Sequence, residues 1–324
     1  MRKLLGTSNL SAHSPGTALA VVLCLAPVGC SDAMDQAAAA PVCTVDASTV
    51  DASTVDVSTA DASSADVSQA GDAGLDASAA LSLLAAGATQ FSVMAAVPGF
   101  AIQNGLTINY TFGSAGSLRN EILTGTSGAD IAIVTPAVIT ALEAPDAQSF
   151  VYPGSRIDLA QIGGGVAVRS SDPLPDISTS DTFKAALLAA DEIYYPDPAL
   201  ATAGAQFVTI CTTLGIQDTC AVAPTGKGHT APDGATAMSA MANSTATTVI
   251  GCTQISEIKS NPLVVLVGDY PSTPINLQVE TVYSAIIVEG TAHLANAQLL
   301  LQFLGGDVFQ SALYAYGFGP ISEQ

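Results

Sequence analysis

Leu106-Thr107-Ile108-Asn109-Tyr110-Thr111-Phe112, followed at once by Gly113-Ser114-Ala115-Gly116-Ser117, is the stretch from which the fold is read. Apolar and polar residues alternate with period two up to Phe112, as in a strand with one face buried. The chain then leaves through small residues into a helix read from Ser117 to Thr124. A strand that turns directly into a helix is half of a βαβ unit, and the flanking sequence supplies the rest. Upstream, Ala80 to Leu84 reads as a strand and Thr89 to Gln103 as a helix despite Pro98. Downstream, Ile131 to Val134 is a short buried strand, and Pro136 to Leu142 is a helix with proline in its first turn. This order predicts a parallel sheet covered on both faces.

The middle of the chain repeats the pattern. Strands are read at Gly164 to Val168, Glu192 to Tyr195, Thr247 to Gly251 and Leu263 to Val267, with a long β run from Val279 to Val288. Helices are read at Thr182 to Leu188, Ala203 to Leu214, Gly234 to Met241, Ala292 to Phe303 and Asp307 to Tyr314. So many alternating elements predict two similar α/β lobes in place of one large sheet.

With 324 residues, 49% of them hydrophobic and 11% charged, the chain has ample material for a core. The 28 acids against eight bases disfavour nucleic acid and anionic lipid as partners. Nine of those acids, all Asp, fall between Ser31 and Ala80, a segment without Lys or Arg. There the chain reads VDAST VDAST VDVST ADASS ADVSQ, a five-residue repeat too short for a solenoid and too poor in large apolar residues for a core. Residues 31–80 are therefore expected to be a disordered, self-repelling tether. Before them, Arg2 and Lys3, the apolar run Ala18 to Ala26 and the small residues Val28-Gly29-Cys30 read as a secretory signal over residues 1–30. Cys30 resembles the lipidated cysteine of a bacterial lipobox, so a lipid anchor is the expected link to the membrane.

Export makes disulfides permissible. Cys211 and Cys220, nine residues apart, are placed to close a small loop, with Cys252 left over. No CxxC or His-rich spacing points to a metal, and no cofactor is expected. An exported hydrolase is the enzymatic alternative, but the body carries two histidines, His229 and His293, and no GxSxG elbow.

In open α/β sheets, ligands lie beyond the carboxyl ends of strands, where helix N-termini offer free amides. Three such places stand out: Phe112 to Ser117, Val134-Thr135-Pro136, and Pro198 to Gly204. None carries Lys or Arg, so a neutral dipolar cage is expected.

Six stretches taken in order resemble the periplasmic molybdate-binding proteins, type II solute receptors of ABC importers. They are Leu84-Ala85-Ala86-Gly87-Ala88, Phe112 to Leu118, Gly128 to Ile133, Asp197 to Gly204, Gly251-Cys252-Thr253-Gln254-Ile255-Ser256-Glu257-Ile258, and Ala312 to Pro320. The resemblance implies the periplasmic-binding-protein type II fold, with two α/β lobes joined by a two-strand hinge that close on a tetrahedral oxyanion. Lobe one would comprise about 81–160 and 285–324, and lobe two about 161–284. It places the ligand positions at Ala88, Ala115, Thr135, Ala201 and Cys252. Two of these are Ser in the family and Ala here, and Cys252 stands where the family has Tyr. Backbone amides, with the hydroxyls of Ser114, Ser117, Thr89, Thr202 and Thr253, are then the expected donors. A cage of donors alone favours fully ionised anions, because an acidic proton facing a donor leaves a bond unmade at about 1–3 kcal/mol.

The expected function is capture of molybdate or tungstate by a monomeric, periplasmic or cell-surface receptor that delivers it to an importer permease. A receptor for a different solute and a ligand-free sensory or adaptor lipoprotein are the alternatives.

Overall fold

The computed structural model describes residues 80–143 and 149–322. The expectations for the signal-like segment, for Cys30 and for the tether fall outside these residues, apart from Ala80, which opens the first strand.

Two five-stranded sheets organise the described chain. The first contains β1 (Ala80–Ala86), β2 (Thr107–Gly113), β3 (Ile131–Val134), β4 (Ile157–Ile162) and β10 (Thr281–Ile287), in the order β2-β1-β3-β10-β4. The second contains β5 (Gly164–Arg169), β6 (Glu192–Pro196), β7 (Gly228–Ala231), β8 (Val249–Gln254) and β9 (Val264–Asp269), in the order β7-β6-β8-β5-β9. The two orders have the same plan. In each, three strands run parallel and the remaining two are antiparallel neighbours at one side.

Period-two alternation divides each sheet's side chains between two helical layers. From β1, Leu81, Leu83 and Ala85 enter a core with α1 (Gln90–Gln103), α9 (Leu294–Leu304) and α10 (Asp307–Ala315), which contribute Val97, Leu300 and Phe309. Leu84 points the other way, toward α2 (Ala115–Leu123) and α3 (Pro136–Leu142), where Leu118 and Ile139 are fully buried. In the second sheet, Ile193 and Tyr195 pack with α4 (Ser180–Ala189) and α5 (Thr202–Thr213), while Tyr194 faces α7 (Gly234–Ala242) and α8 (Ile255–Lys259). Truncating a fully buried anchor such as Phe183 or Phe207 removes about 3–5 kcal/mol on general grounds.

The lobes are joined twice. Gly163 alone separates β4 from β5, and the segment between Asp269 and Thr281 leads back to β10. The crossings therefore fall at Gly163 and just before Thr281, a few residues from the boundaries expected near 160 and 284. The Gln278 side chain clasps them together, its Nε2 donating to the Gly164 carbonyl at 3.1 Å and its Oε1 accepting from the Gly164 amide at 3.2 Å. A Cβ on Gly164 would stand 2.3 Å from the Tyr270 ring, so the close approach of the second crossing requires glycine there.

Four elements differ from the sequence reading by omission: β4, β7, α8 and the short helix α6 (Gln217–Cys220). β7 reads Gly-His-Thr-Ala, which has no apolar periodicity to reveal it; it is a strand because β6 pairs with it. Cys211 and Cys220 form a disulfide, and Cys252 is free and buried.

Candidate functional site

The carboxyl ends of β1, β2, β6 and β8 meet at a cleft between the lobes. Lobe one brings Ala86-Gly87-Ala88 and Gly113-Ser114-Ala115, and lobe two brings Pro196, Ala201-Thr202-Ala203, Asp233-Gly234, Gln254 and Glu257. Tyr283, on the returning hinge strand, completes the wall. The lobes touch here: the Gly116 amide donates to the Leu200 carbonyl at 2.9 Å. A cavity of about 20 Å³ remains, the scale of one or two water-sized groups, so a compact ligand suits this arrangement. A cavity of about 200 Å³ elsewhere in lobe two, around Pro173, Leu174 and Thr248, is largely apolar and has none of these helix starts.

Each lobe points helix N-termini into the cleft. Ser114 caps α2, its Oγ accepting from the Ser117 amide at 3.3 Å. Ala201 precedes α5 without any side-chain cap, which leaves the first-turn amides of that helix without intrahelical partners. Asp233 caps α7 through the Thr236 amide at 2.8 Å. A short 3-10 turn at Gly87–Thr89 follows β1 and carries Ala88. Partial positive charge from these ends converges on one point.

Opposite the donors stand acceptors. Glu257 is 5% exposed, and Thr253 Oγ1 donates to its Oε2 at 2.5 Å. Backbone from both lobes presses on this carboxyl: a Cβ on Gly87 would lie 3.0 Å from Oε1, and one on Gly234 would lie 2.0 Å from Oε2. Burial pushes Glu257 up to about 7; the Thr253 hydroxyl and the Gln254 and Gly234 backbone hydrogen bonds oppose the shift, and the Asp233 carboxylate adds to it. Gln254, 1% exposed, donates from Nε2 to Thr281 Oγ1 at 3.0 Å, and its buried Oε1 has no hydrogen-bond partner. Among the described residues lining the cleft, none is Lys or Arg.

Of the residues singled out from sequence, Ala88, Ser114, Ala115, Ala201 and Thr202 surround this cleft. Ser117, Thr135, Cys252 and Thr253 do not line it. The helix begins two residues earlier than read, so Ser117 turns back on the cap and donates to the Ser114 carbonyl at 2.8 Å. Thr135 is buried at the start of α3, where its carbonyl accepts from the Val138 and Ile139 amides. Cys252 sits inside β8 with 0% exposure, in the core with Tyr270 and Phe207, and burial holds its thiol far above the usual range. Strand β8 runs three residues beyond the expected end at Gly251, so Gln254 reaches the cleft in its place. Thr253 and Thr89 are fully buried; Thr253 supports Glu257, while Thr89 donates to the Ala86 carbonyl at 2.8 Å.

Sequence reasoning passed over Asp233, Gly234, Gln254, Glu257 and Tyr283. Two signals were available: Asp233-Gly234 opens a helix as an N-cap should, and Glu257 is a lone acid between Ile255 and Ile258. The two histidines of the body lie apart from the cleft. His229 stacks on Tyr194 at 4.9 Å with Nε2 3.8 Å from Glu192, and His293 precedes α9. Among the described residues no cluster of His, Cys, Asp and Glu could hold a metal, and no helix is long and apolar enough to cross a membrane.

A model of bacterial extracellular solute-binding proteins matches residues 81–319. The periplasmic molybdate-binding protein of Azotobacter vinelandii aligns with 75% of this chain and 100% of its own length, at TM-score 0.61 and 22% identity. A sulfate-binding protein of Mycobacterium tuberculosis aligns with 75% of this chain and 87% of its own, at TM-score 0.57 and 14% identity. At these identities the likeness is one of fold. By sequence, an aconitate isomerase from a Pseudomonas species is 28% identical over 245 residues, covering 75% of this chain and 89% of the relative.

Proposed function

Because the chain belongs to the family of bacterial extracellular solute-binding proteins, we propose that it is the capture component of an ABC importer, closing two lobes on a small anion. The carrying observation is the convergence of helix starts from both lobes on one cleft, beside the hinge strand that bears Tyr283. An anion held by α2 on one side and α5 on the other favours the closed form by its differential affinity for that form. The ligand group comprises the Ala88 and Ala115 amides, the Ser114 hydroxyl, the Ala201-Thr202 helix start, and Gln254 and Glu257. The solute then passes to a permease, with no chemistry performed on it. Lipidation at Cys30 would keep a monomeric receptor at the membrane surface. Molybdate and tungstate are the ligands the family resemblance suggests; neighbours of this fold are also named for sulfate.

Thermal unfolding of the full chain with molybdate, tungstate, sulfate, phosphate and arsenate tests the proposal. A ligand at about 100 times its Kd adds about 2.7 kcal/mol, a shift of several degrees. A rise with at least one anion is expected, and no rise with any overturns small-anion capture.

One observation favours a second reading, a proton-shifting isomerase of small carboxylic acids. Glu257 is a buried carboxyl held near neutrality, as a general base should be. Incubation with cis- and trans-aconitate in deuterated water, followed by proton NMR, would reveal isomerisation or exchange. The absence of both removes that reading.

A further inference from the structure

Resting on the capture of a small anion in this cleft, we propose that the anion is held through one proton shared between a ligand oxygen and the carboxyl of Glu257. The class of ligand follows: a singly protonated oxoacid anion, with ionised oxygens toward the helix starts and its O–H toward Glu257.

Three features of the cleft lead there independently. The first is charge: Glu257 and Asp233 stand in a wall without Lys or Arg, so a fully ionised anion would enter beside a buried carboxyl with no cation in the wall to offset it. The second is confinement. Glu257 is fixed by hydrogen bonds from the Thr253 hydroxyl and the Gln254 and Gly234 backbone, and Gly87 of lobe one approaches its other side, so it is held in place when a ligand enters. The third is the second acceptor, Gln254 Oε1, which is buried and unpartnered beside the same cavity. Two buried acceptors facing a site otherwise made of N–H and O–H donors call for a ligand that both accepts and donates. A donors-only cage, as read from sequence, would select the opposite class.

The groups that face Glu257 do not supply the missing proton. From α7 comes Asp233, an acid; from β8 come Thr253, already donating to Oε2, and Gln254. The Gly87–Thr89 turn of lobe one and α7 beyond Asp233 carry no titratable side chain. Tyr283 from β10 and Tyr270 beyond β9 feel the carboxylate, and burial holds both phenols well above their ordinary range. Asp269 ends β9, and Cys252 of β8 lies buried against Tyr270. Arg169, at the other end of β5, is bonded to Asp172 and to the Ser244 and Thr247 carbonyls. Lys259, on the same short helix as Glu257, lies toward Gly317. The proton must therefore arrive on the ligand or be taken from solvent by Glu257.

These two routes differ in pH dependence. A ligand that brings its proton, such as phosphate or arsenate near neutrality, binds without net proton uptake. Sulfate, molybdate and tungstate bring none, so they use the proton Glu257 already holds below neutrality, and once Glu257 is ionised each must bind with uptake of one proton and weaken about tenfold per pH unit.

Isothermal titration of the full chain with these five anions, from about pH 6 to about pH 9 in buffers of differing ionisation enthalpy, reads both affinity and proton uptake. The expected result is that phosphate or arsenate binds with a flat profile above neutrality and releases protons below it, and that any sulfate, molybdate or tungstate binding takes up a proton fraction rising toward one, and fades, as pH passes neutrality. In Glu257→Gln, whose amide donates without taking up a proton, the preference for the protonated anions should fall at least tenfold and the uptake should vanish. Molybdate or sulfate binding with no uptake across the range overturns the proposal while leaving anion capture standing. Binding of none of the five overturns both. The wild-type profile decides even if the variant does not fold.

Discussion

Glu257 sits at 5% exposure in a family whose function is binding, and its carboxyl has a consequence for the free protein as well as for the ligand. Its folded pKa is raised from 4.5 to about 7, chiefly by burial. A carboxyl raised on folding stabilises the native state fully below its unfolded pKa, and that contribution is lost as pH rises through the folded value. Ligand-free protein should therefore lose on the order of 3 kcal/mol between about pH 4.5 and about pH 7 from this group, and then level off. Urea unfolding across that window checks it, and Glu257→Gln should flatten the slope. A wild-type stability that does not fall there would mean the carboxyl is better solvated than its burial implies.

At the scale of elements, α5 is held by two devices. Gly204 lies against the Pro196 carbonyl, where a Cβ would stand 2.1 Å from the oxygen, so the helix start is seated directly on the end of β6. At its far end Cys211 is tied to Cys220, which closes a loop through α6. A loop of this length constrains the unfolded chain by about 2–3 kcal/mol. The paired variant Cys211→Ala, Cys220→Ala should lower stability by that amount in denaturant titrations while leaving anion affinity within about twofold, because the bridge is remote from the cleft. A large loss of affinity would show instead that the bridge positions the α5 N-terminus.

For the whole molecule, the proposed capture requires the lobes to move as units about the two crossings. Gly116 is the most direct probe of closure, because its neighbours across the gap belong to the other lobe. Its amide bonds to the Leu200 carbonyl, and a Cβ there would stand 2.7 Å from that oxygen. Separating the lobes would relieve that conflict, and alanine suits a helix's first turn. Gly116→Ala should therefore burden the closed state by about 1–3 kcal/mol, weakening anion affinity about ten- to a hundredfold. The ligand-free melting temperature should stay near the wild-type value. Small-angle scattering with and without ligand should show wild type compacting and the variant failing to do so at the same ligand concentration; equal compaction would place the closing contact elsewhere.

Much of this architecture is written in local pattern. The alternation through Leu106 to Phe112, the small-residue turn after it and the buried run Ile131 to Val134 specify strand, turn and helix without reference to distant residues, and they put Ala88, Ser114, Ala115, Ala201 and Thr202 at helix starts. The floor of the cleft was not legible in this way, because it depends on where strands stop and which neighbour they meet. β8 runs on to Gln254 because it pairs with β5 as far as Gly164, which carries Cys252 into the core and brings Gln254 to the cleft. β7 exists through its pairing with β6, and it delivers Asp233 and Gly234 beside Glu257. Periodicity reports which face of an element is buried, whereas the identity of its neighbours far along the chain is set by register and packing. That is why the cleft where donors alone were expected also holds a buried acid, Glu257.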